Sequence, residues 1–375
     1  VLSFEMGLLW PGLMGRFGDV LGLPFEFEGL SFFVEAIFLG IYLYGWDRMP
    51  PCRHLRMLLP MGAAGVIGTF CIISVNAWMN DPTGFRIVDG QVTDVNPWRA
   101  MFNDQVWLQF AHMWVGAFML VGFVVAGVYA AGMLRGRLDE HHRLGFRIPF
   151  LFATVAAIAQ PLIGHVLGLR VAGTQPGKLA AFELATTTES PSPLRIGGLL
   201  INGHVRFAFD IPWIGSMIAR NSFTKGVQGM DTIPLNDRPP INITHVAFQS
   251  MVALGTLLAV VVVLFWFAKW RGRDLTVNRW FLRFMVIAGP MAIIALECGW
   301  IATEVGRQPW TVWQVLRTTD AASTSTGLWW SYAVAFVVYI GMTIGAFIVL
   351  RGMARRWREG ETDLPTPYGP EEAVR

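Results

Sequence analysis

Apolar positions in this chain come in long runs. They show neither the alternation of a half-buried strand nor the single stripe of a soluble helix. A helix crossing the hydrocarbon core of a bilayer needs about 20 mostly apolar residues. Seven stretches qualify: Phe27–Trp46, Met57–Trp78, Val106–Leu134, Phe146–Leu169, Ile243–Lys269, Phe284–Ala302 and Gly327–Leu350. Val1–Trp10 reads as the end of an eighth helix, and no span has the period of a barrel strand. The pattern therefore predicts an all-α fold, a polytopic transmembrane helix bundle over residues 1–350 with a tail over 351–375. Between the fourth and fifth complete spans lies a long extracytoplasmic loop, residues 170–242; connections of this length are usually functional or disordered.

Charge adds an orientation. Arginines and lysines cluster in alternate connections: Arg48, Arg53 and Arg56; Arg135, Arg137, Arg143 and Arg147; Lys269, Arg271, Arg273, Arg279 and Arg283; and, after the last span, Arg351, Arg355, Arg356 and Arg358. The positive-inside rule puts these on the cytoplasmic side, and their parity agrees with seven spans. The tail Glu359–Arg375, Pro-rich and acidic, reads as a loose cytoplasmic end. Only 15% of residues are charged and the mean hydropathy is +0.47, which excludes a soluble multidomain enzyme and a disordered protein. A net charge of +3, scattered in short clusters, argues against nucleic-acid binding. Three cysteines, Cys52, Cys71 and Cys298, are too widely spaced for a CxxC motif or a disulfide framework. The chain starts at Val1 with no signal peptide, so the N-terminus is expected to lie upstream.

Against this background polar residues inside spans stand out, because a charge near the bilayer centre costs about 3 kcal/mol. Glu28 and Glu35 lie two helical turns apart on one face of the first complete span, about 10 Å along its axis. Glu297 and Glu304 repeat the spacing in the sixth. Each is a proton-carrying or ligating group, or a buried carboxyl that is protonated or paired with an arginine such as Arg307. His112 and Met251 enter the third and fifth spans at similar depth, and an imidazole opposite a thioether suits the axial positions of a low-spin heme. His245 is a rival ligand. His54, His141, His142, His165 and His204 lie at helix ends or in loops and read as solvated. Most tryptophans read as the interfacial aromatic belt; Trp300, one turn before Glu304, could instead flank a cofactor. A proton-coupled transporter without heme, and a heme electron carrier lacking oxidase activity, fit the same bare pattern.

Several motifs are more specific. They are Glu28-Gly29-Leu30, Phe32-Phe33-Val34-Glu35, Gly45-Trp46-Asp47-Arg48, Asn76-Ala77-Trp78-Met79, Phe110-Ala111-His112, Gln175-Pro176-Gly177-Lys178-Leu179-Ala180-Ala181-Phe182-Glu183, Met251-Val252-Ala253 and the run Gly299–Trp310. In this order, and over nearly the whole chain, the sequence resembles subunit I of the cytochrome bd family of quinol oxidases. The resemblance implies a heme-containing subunit of a bacterial inner-membrane oxidase that takes electrons from quinol on the outer side and reduces O2 to water with cytoplasmic protons, electrogenically. It implies a second membrane subunit (subunit II). His112 and Met251 match the axial ligands of a low-spin heme b, and Glu304 matches that of a high-spin heme b, with Arg307 near the heme carboxylates. Glu28 and Glu35 match the acidic pair for proton delivery. Lys178 and Glu183 match quinol-site residues at the start of the outer loop, the Q-loop.

There are departures. The family's N-terminal helix, whose histidine ligates the oxygen-binding heme, is expected before Val1. Gln249 stands where many members carry an arginine, two residues before the methionine ligand. The Q-loop is of the short kind, shared with cyanide-insensitive members, so the third macrocycle is heme d or a further heme b.

Overall fold

The computed structural model describes residues 2–45 and 48–358; Val1, Trp46, Asp47 and residues 359–375 lie outside the description. The Trp46–Asp47 part of one motif, the last residue of the first predicted span and the Glu359–Arg375 tail therefore fall beyond the described residues. In chain order the helices are α1 (Leu2–Leu9), α2 (Pro11–Tyr44), α3 (Pro51–Arg56), α4 (Leu58–Asn80), α5 (Pro97–Met101), α6 (Val106–Leu134), α7 (Glu140–Thr174), α8 (Pro176–Phe182), α9 (Ile214–Arg220), α10 (Ile241–Trp270), α11 (Arg279–Val305), α12 (Thr318–Ala321) and α13 (Leu328–Arg358). Three antiparallel ribbons sit in the connections: β1 (Arg86–Val88) with β2 (Gln91–Thr93), β3 (Leu194–Ile201) with β4 (His204–Ile211), and β5 (Trp310–Val312) with β6 (Leu316–Arg317).

Seven helical segments among the described residues are long and apolar enough to cross a membrane, one for each predicted span. The first differs in extent. It begins at Pro11, not Phe27, because Arg16, Asp19 and Glu26 interrupt the apolar run without interrupting the backbone helix. Hydropathy reports the solvent a segment prefers, whereas helix continuity is set by hydrogen bonds that polar side chains do not break. The stretch before it is a separate short helix, α1, ending ahead of Pro11.

The chain divides into two units. One comprises residues 1–18, 25–68 and 321–375 and holds α1, most of α2, α3, the first half of α4 and α13. In it Tyr42 and His54 stack with ring centroids 4.3 Å apart, and His54 Nε2 donates to the Tyr42 carbonyl at 2.7 Å. That carbonyl belongs to the last turn of α2. His54 is therefore buried, contrary to its expected solvation.

The other unit comprises residues 19–24 and 69–320. Its core is formed by α6, α7, α10 and α11 around Phe123, Phe146, Phe150, Phe265 and Phe281. Lipid is as apolar as leucine, so such helices associate through close packing, which small residues permit. On α6, a Cβ at Gly122 would lie 2.8 Å from the Ala153 Cβ of α7, and one at Gly127 would lie 2.8 Å from the Met285 carbonyl of α11. The long connection over residues 170–242 is folded. α8, α9 and the segment up to Met230 enclose a second small core of Leu179, Ala180, Ala181, Ala185, Ala219, Val227 and Met230.

Candidate functional site

Two buried polar clusters meet the connection over residues 170–242. The first joins the end of α4, the start of α8 and the residues after α11. Pro176 opens α8 at its first position, where a missing N–H costs nothing. Lys178 follows within the first turn and is 3% exposed. Its Nζ donates to Asn80 Oδ1 at 2.6 Å. Gln175 Nε2 donates to the Asn80 carbonyl at 2.7 Å and to Asn80 Oδ1 at 3.1 Å. Asn80 in turn donates to the Asn76 carbonyl at 2.8 Å. Arg307, also buried, pairs with Glu304 Oε2 at 2.5 Å and reaches Asn76 Oδ1 at 3.5 Å. Gly306 lets these groups close up, since a Cβ there would lie 3.1 Å from Lys178 Cγ.

Burial pulls the Lys178 ammonium well below the usual lysine range, repulsion from Arg307 adds to this, and Glu304 partly opposes it. Burial likewise lowers Arg307, against the attraction of Glu304. Glu304, the ion-pair partner of Arg307, has a side chain that is 44% exposed. Arg307 Nε, Gln175 Oε1 and Thr244 Oγ1 are buried without hydrogen-bond partners. Buried polar atoms in folded proteins are nearly always paired, so these three are exceptions.

The second cluster surrounds Glu183, which caps the C-terminus of α8 and is 3% exposed. One of its oxygens, Oε2, has no partner. Burial pushes its carboxyl up to about 7, with Arg195 opposing. Arg195, on β3, is itself buried; its Nη2 spans both oxygens of Glu189 at 2.7 and 2.9 Å, its Nη1 donates to the Leu184 carbonyl at 3.3 Å, and Asp210 lies 3.7 Å from its Nε.

Three side chains of α10 bind β3 along its length. Asn242 bonds both the N–H and the carbonyl of Leu200, at 2.7 and 3.0 Å. His245 meets the carbonyls of Phe182 and Gly197 at 2.7 and 2.9 Å. Gln249 donates to the Arg195 carbonyl at 2.9 Å. His245 is wholly buried, with its two ring nitrogens facing these carbonyls; a neutral imidazole donates to one of them.

The remaining candidates are spread over the bundle. His112 of α6 faces Gln160 of α7, whose Nε2 lies 3.3 Å from His112 Nε2, and His112 Nδ1 is enclosed without a partner. Gly164 leaves space beside this ring; a Cβ there would lie 3.3 Å from His112 Cε1. Met251 of α10 points its sulfur at Gly299 of α11, where a Cβ would lie 3.1 Å away. Trp300 is half-buried. In the other unit Glu28 is half-buried and Glu35 exposed on α2. His141, His165 and His204 are exposed, as expected, and His142 pairs with Asp139 at 2.7 Å. Sequence reasoning missed Asn80, Gln175 and Arg195. Amides ending an apolar helix, as in Asn76-Ala77-Trp78-Met79-Asn80, were the available signal for the first of these.

Comparison with known proteins gives a single answer. The family model of cytochrome bd terminal oxidase subunit I matches residues 1–358. A Bacillus subtilis (strain 168) protein named "Putative cytochrome bd menaquinol oxidase subunit I" is 34% identical over 93% of this chain and 80% of its own length. The cytochrome bd ubiquinol oxidase subunit 1 of the same organism is 30% identical over 92% of this chain and 77% of its own. The solved bd oxidase of Geobacillus thermodenitrificans superposes with a TM-score of 0.88 at 36% identity, over 95% of this chain and 82% of that one. The helical membrane bundle, the motif order and these matches together make the chain a member of the cytochrome bd terminal oxidase subunit I family, a bacterial membrane subunit of a heme-dependent quinol oxidase.

Proposed function

We propose that quinol is oxidised on the outer side at Lys178 and Glu183, that His112 and Met251 hold a low-spin heme b, and that Glu304 holds a high-spin heme b with Arg307 beside the heme carboxylates. The observation that carries the quinol site is the pair of buried charges on one short helix: Lys178 and Glu183, both 3% exposed, bracket α8. Isolated loop charges are solvated, and burying two of them is costly unless a ligand or partner uses them.

Oxidation of a quinol to a quinone releases two protons and two electrons. The Glu183 carboxylate accepts a proton from a quinol hydroxyl. A group whose proton affinity lies near neutrality is suited to this, because it is partly ionised at working pH and can give the proton up again to outer water. Lys178, held by Asn80 at 2.6 Å, has two further N–H donors when protonated and can hold a quinone oxygen.

The residues present fit iron porphyrins. Imidazole, thioether and carboxylate are the ligand types that separate a six-coordinate electron carrier from a centre with an open face. His112 Nδ1 is enclosed and unpartnered, and glycines border both His112 and Met251. The buried Arg307 suits a negatively charged heme carboxylate. When bound, heme supplies one-electron transfer and the iron at which O2 is reduced.

Protons consumed by O2 reduction come from the cytoplasm through Glu35 and Glu28, whose spacing places them on one face of α2. Turnover is then electrogenic without a pump. A second membrane subunit completes the oxidase, and the C-terminus is cytoplasmic. Whether the preferred substrate is ubiquinol or menaquinol follows from assays with both. The test is oxygen uptake by the purified two-subunit oxidase. Glu183→Gln and Lys178→Met should each slow quinol oxidation at least about tenfold while the heme spectrum stays unchanged; wild-type rates in both would refute the site.

A further inference from the structure

The hairpin formed by β3 and β4 contributes a buried arginine beside the proposed quinol base. We propose that Arg195 is a positioning residue for quinol oxidation: stapled to α10, it acts as the electrostatic partner of the Glu183 carboxyl, and Glu189 serves as its counterweight. This rests on the reading of Glu183 as the acceptor of the quinol proton.

Geometry carries the inference. Arg195 donates to the carbonyl of Leu184, the residue next to Glu183, at 3.3 Å. Its own carbonyl is gripped by Gln249 of α10 at 2.9 Å, and two residues on, Gly197 is gripped by His245 at 2.9 Å. The guanidinium therefore sits on a strand with little freedom to move. Its charge is shared. Glu189 and Asp210 both pair with it, but their side chains are 31% and 50% exposed, so water screens them more than it screens Glu183. Other titratable groups near this corner are Lys178 on the same helix and His245, whose Nδ1 meets the Phe182 carbonyl. Arg195 is the group whose attraction favours the ionised form of Glu183, against burial. A buried carboxyl without such a neighbour stays protonated near neutral pH and accepts no proton.

Two substitutions act in opposite directions, which a purely structural clamp would not produce. Arg195→Gln removes the attraction, so Glu183 holds its proton more tightly. The acid limb of the pH profile of kcat/KM for a short-chain quinol, measured on the two-subunit oxidase, should move to higher pH by about one unit. Glu189→Gln frees more of the arginine's charge for Glu183 and should move the limb to lower pH by a smaller step. Arg195→Lys keeps the charge and should retain most of the wild-type profile. If Arg195→Gln does not assemble, the acid shift in Glu189→Gln and the retention in Arg195→Lys carry the test.

The same variants are to be followed by infrared titration of the protonated-carboxyl band that disappears in Glu183→Gln, which needs no turnover. Matching opposite shifts of that band support the inference. A band unmoved in both variants, or rates lowered equally at every pH, overturns it. If Glu183→Gln leaves the acid limb where it was, the assignment of Glu183 as quinol base fails, and the infrared titration still decides whether Arg195 governs this carboxyl.

Discussion

Replacing Glu183 by glutamine offers a test of the outer loop that does not depend on catalysis. The wild-type carboxyl is raised by burial from 4.5 to about 7. In an opened loop it returns toward 4.5. The open form therefore ionises first, and the closed loop loses relative stability as pH rises from 4.5 to about 7, with no further change above that. At about 1.4 kcal/mol for each tenfold step, the displacement corresponds to an upper bound of about 3 kcal/mol. Glutamine mimics the protonated acid and has no such dependence. The assay is the rate of protease cleavage within the outer connection of the detergent-solubilised oxidase, compared between wild type and Glu183→Gln at each pH so that the protease's own profile cancels. Where opening is fast relative to cleavage, the rate tracks the population of the open loop. The ratio of wild-type to variant rate should lie near one at acid pH, climb between pH 4.5 and about 7 toward at most about 300-fold, and then level off. A ratio independent of pH would refute the burial argument, as would a ratio that falls with pH.

Other consequences are equally open to measurement. Gly299→Ala places a Cβ 3.1 Å from the Met251 sulfur, forcing it to retreat by a few tenths of an ångström; the low-spin heme band should weaken or shift in an otherwise assembled oxidase, and an unchanged spectrum would count against Met251 as ligand. Gly127→Leu drives a side chain against the Met285 carbonyl of α11 and should destabilise the bundle by about 1–3 kcal/mol or more, seen as a lower thermal unfolding midpoint; an unchanged midpoint would mean that α6 and α11 are not in this contact. Asn80→Leu removes the acceptor of Lys178, a bond to a charged group worth about 2 kcal/mol, and should raise the quinol KM by about tenfold or more. Asn80→Asp keeps the acceptor for Lys178 but loses the donor to the Asn76 carbonyl, and should raise KM less than Asn80→Leu does; an unchanged KM in Asn80→Leu would refute the role of this bond.

Much of the architecture was legible because hydrocarbon imposes one strong rule, about 20 apolar residues per crossing, and seven segments obey it. The rule misjudged the start of α2, where charged residues lie within a continuous helix. Histidines were harder. His54 and His245 look solvated or ligating by position, yet each is drawn to a backbone carbonyl at the end of an element, Tyr42 of α2 and Phe182 of α8. No sequence period shows which distant side chain will reach such a carbonyl. The same holds for Asn80 and Lys178, which are 98 residues apart and meet only in the folded chain. Gln249, out of pattern at the level of sequence, has a plain structural role here: it holds β3. His112 and Glu304 stood out, because polar groups inside apolar runs are few and each costs free energy to keep, whereas Lys178 came only from the family resemblance.

The account turns on His112 as an iron ligand. The most direct measurement is the reduced-minus-oxidised absorption spectrum, with magnetic circular dichroism, of the His112→Ala oxidase against wild type. The low-spin heme b signal should vanish while the high-spin signal from the Glu304 site remains. Retention of the low-spin signal would contradict the account and point to the rival ligand, His245.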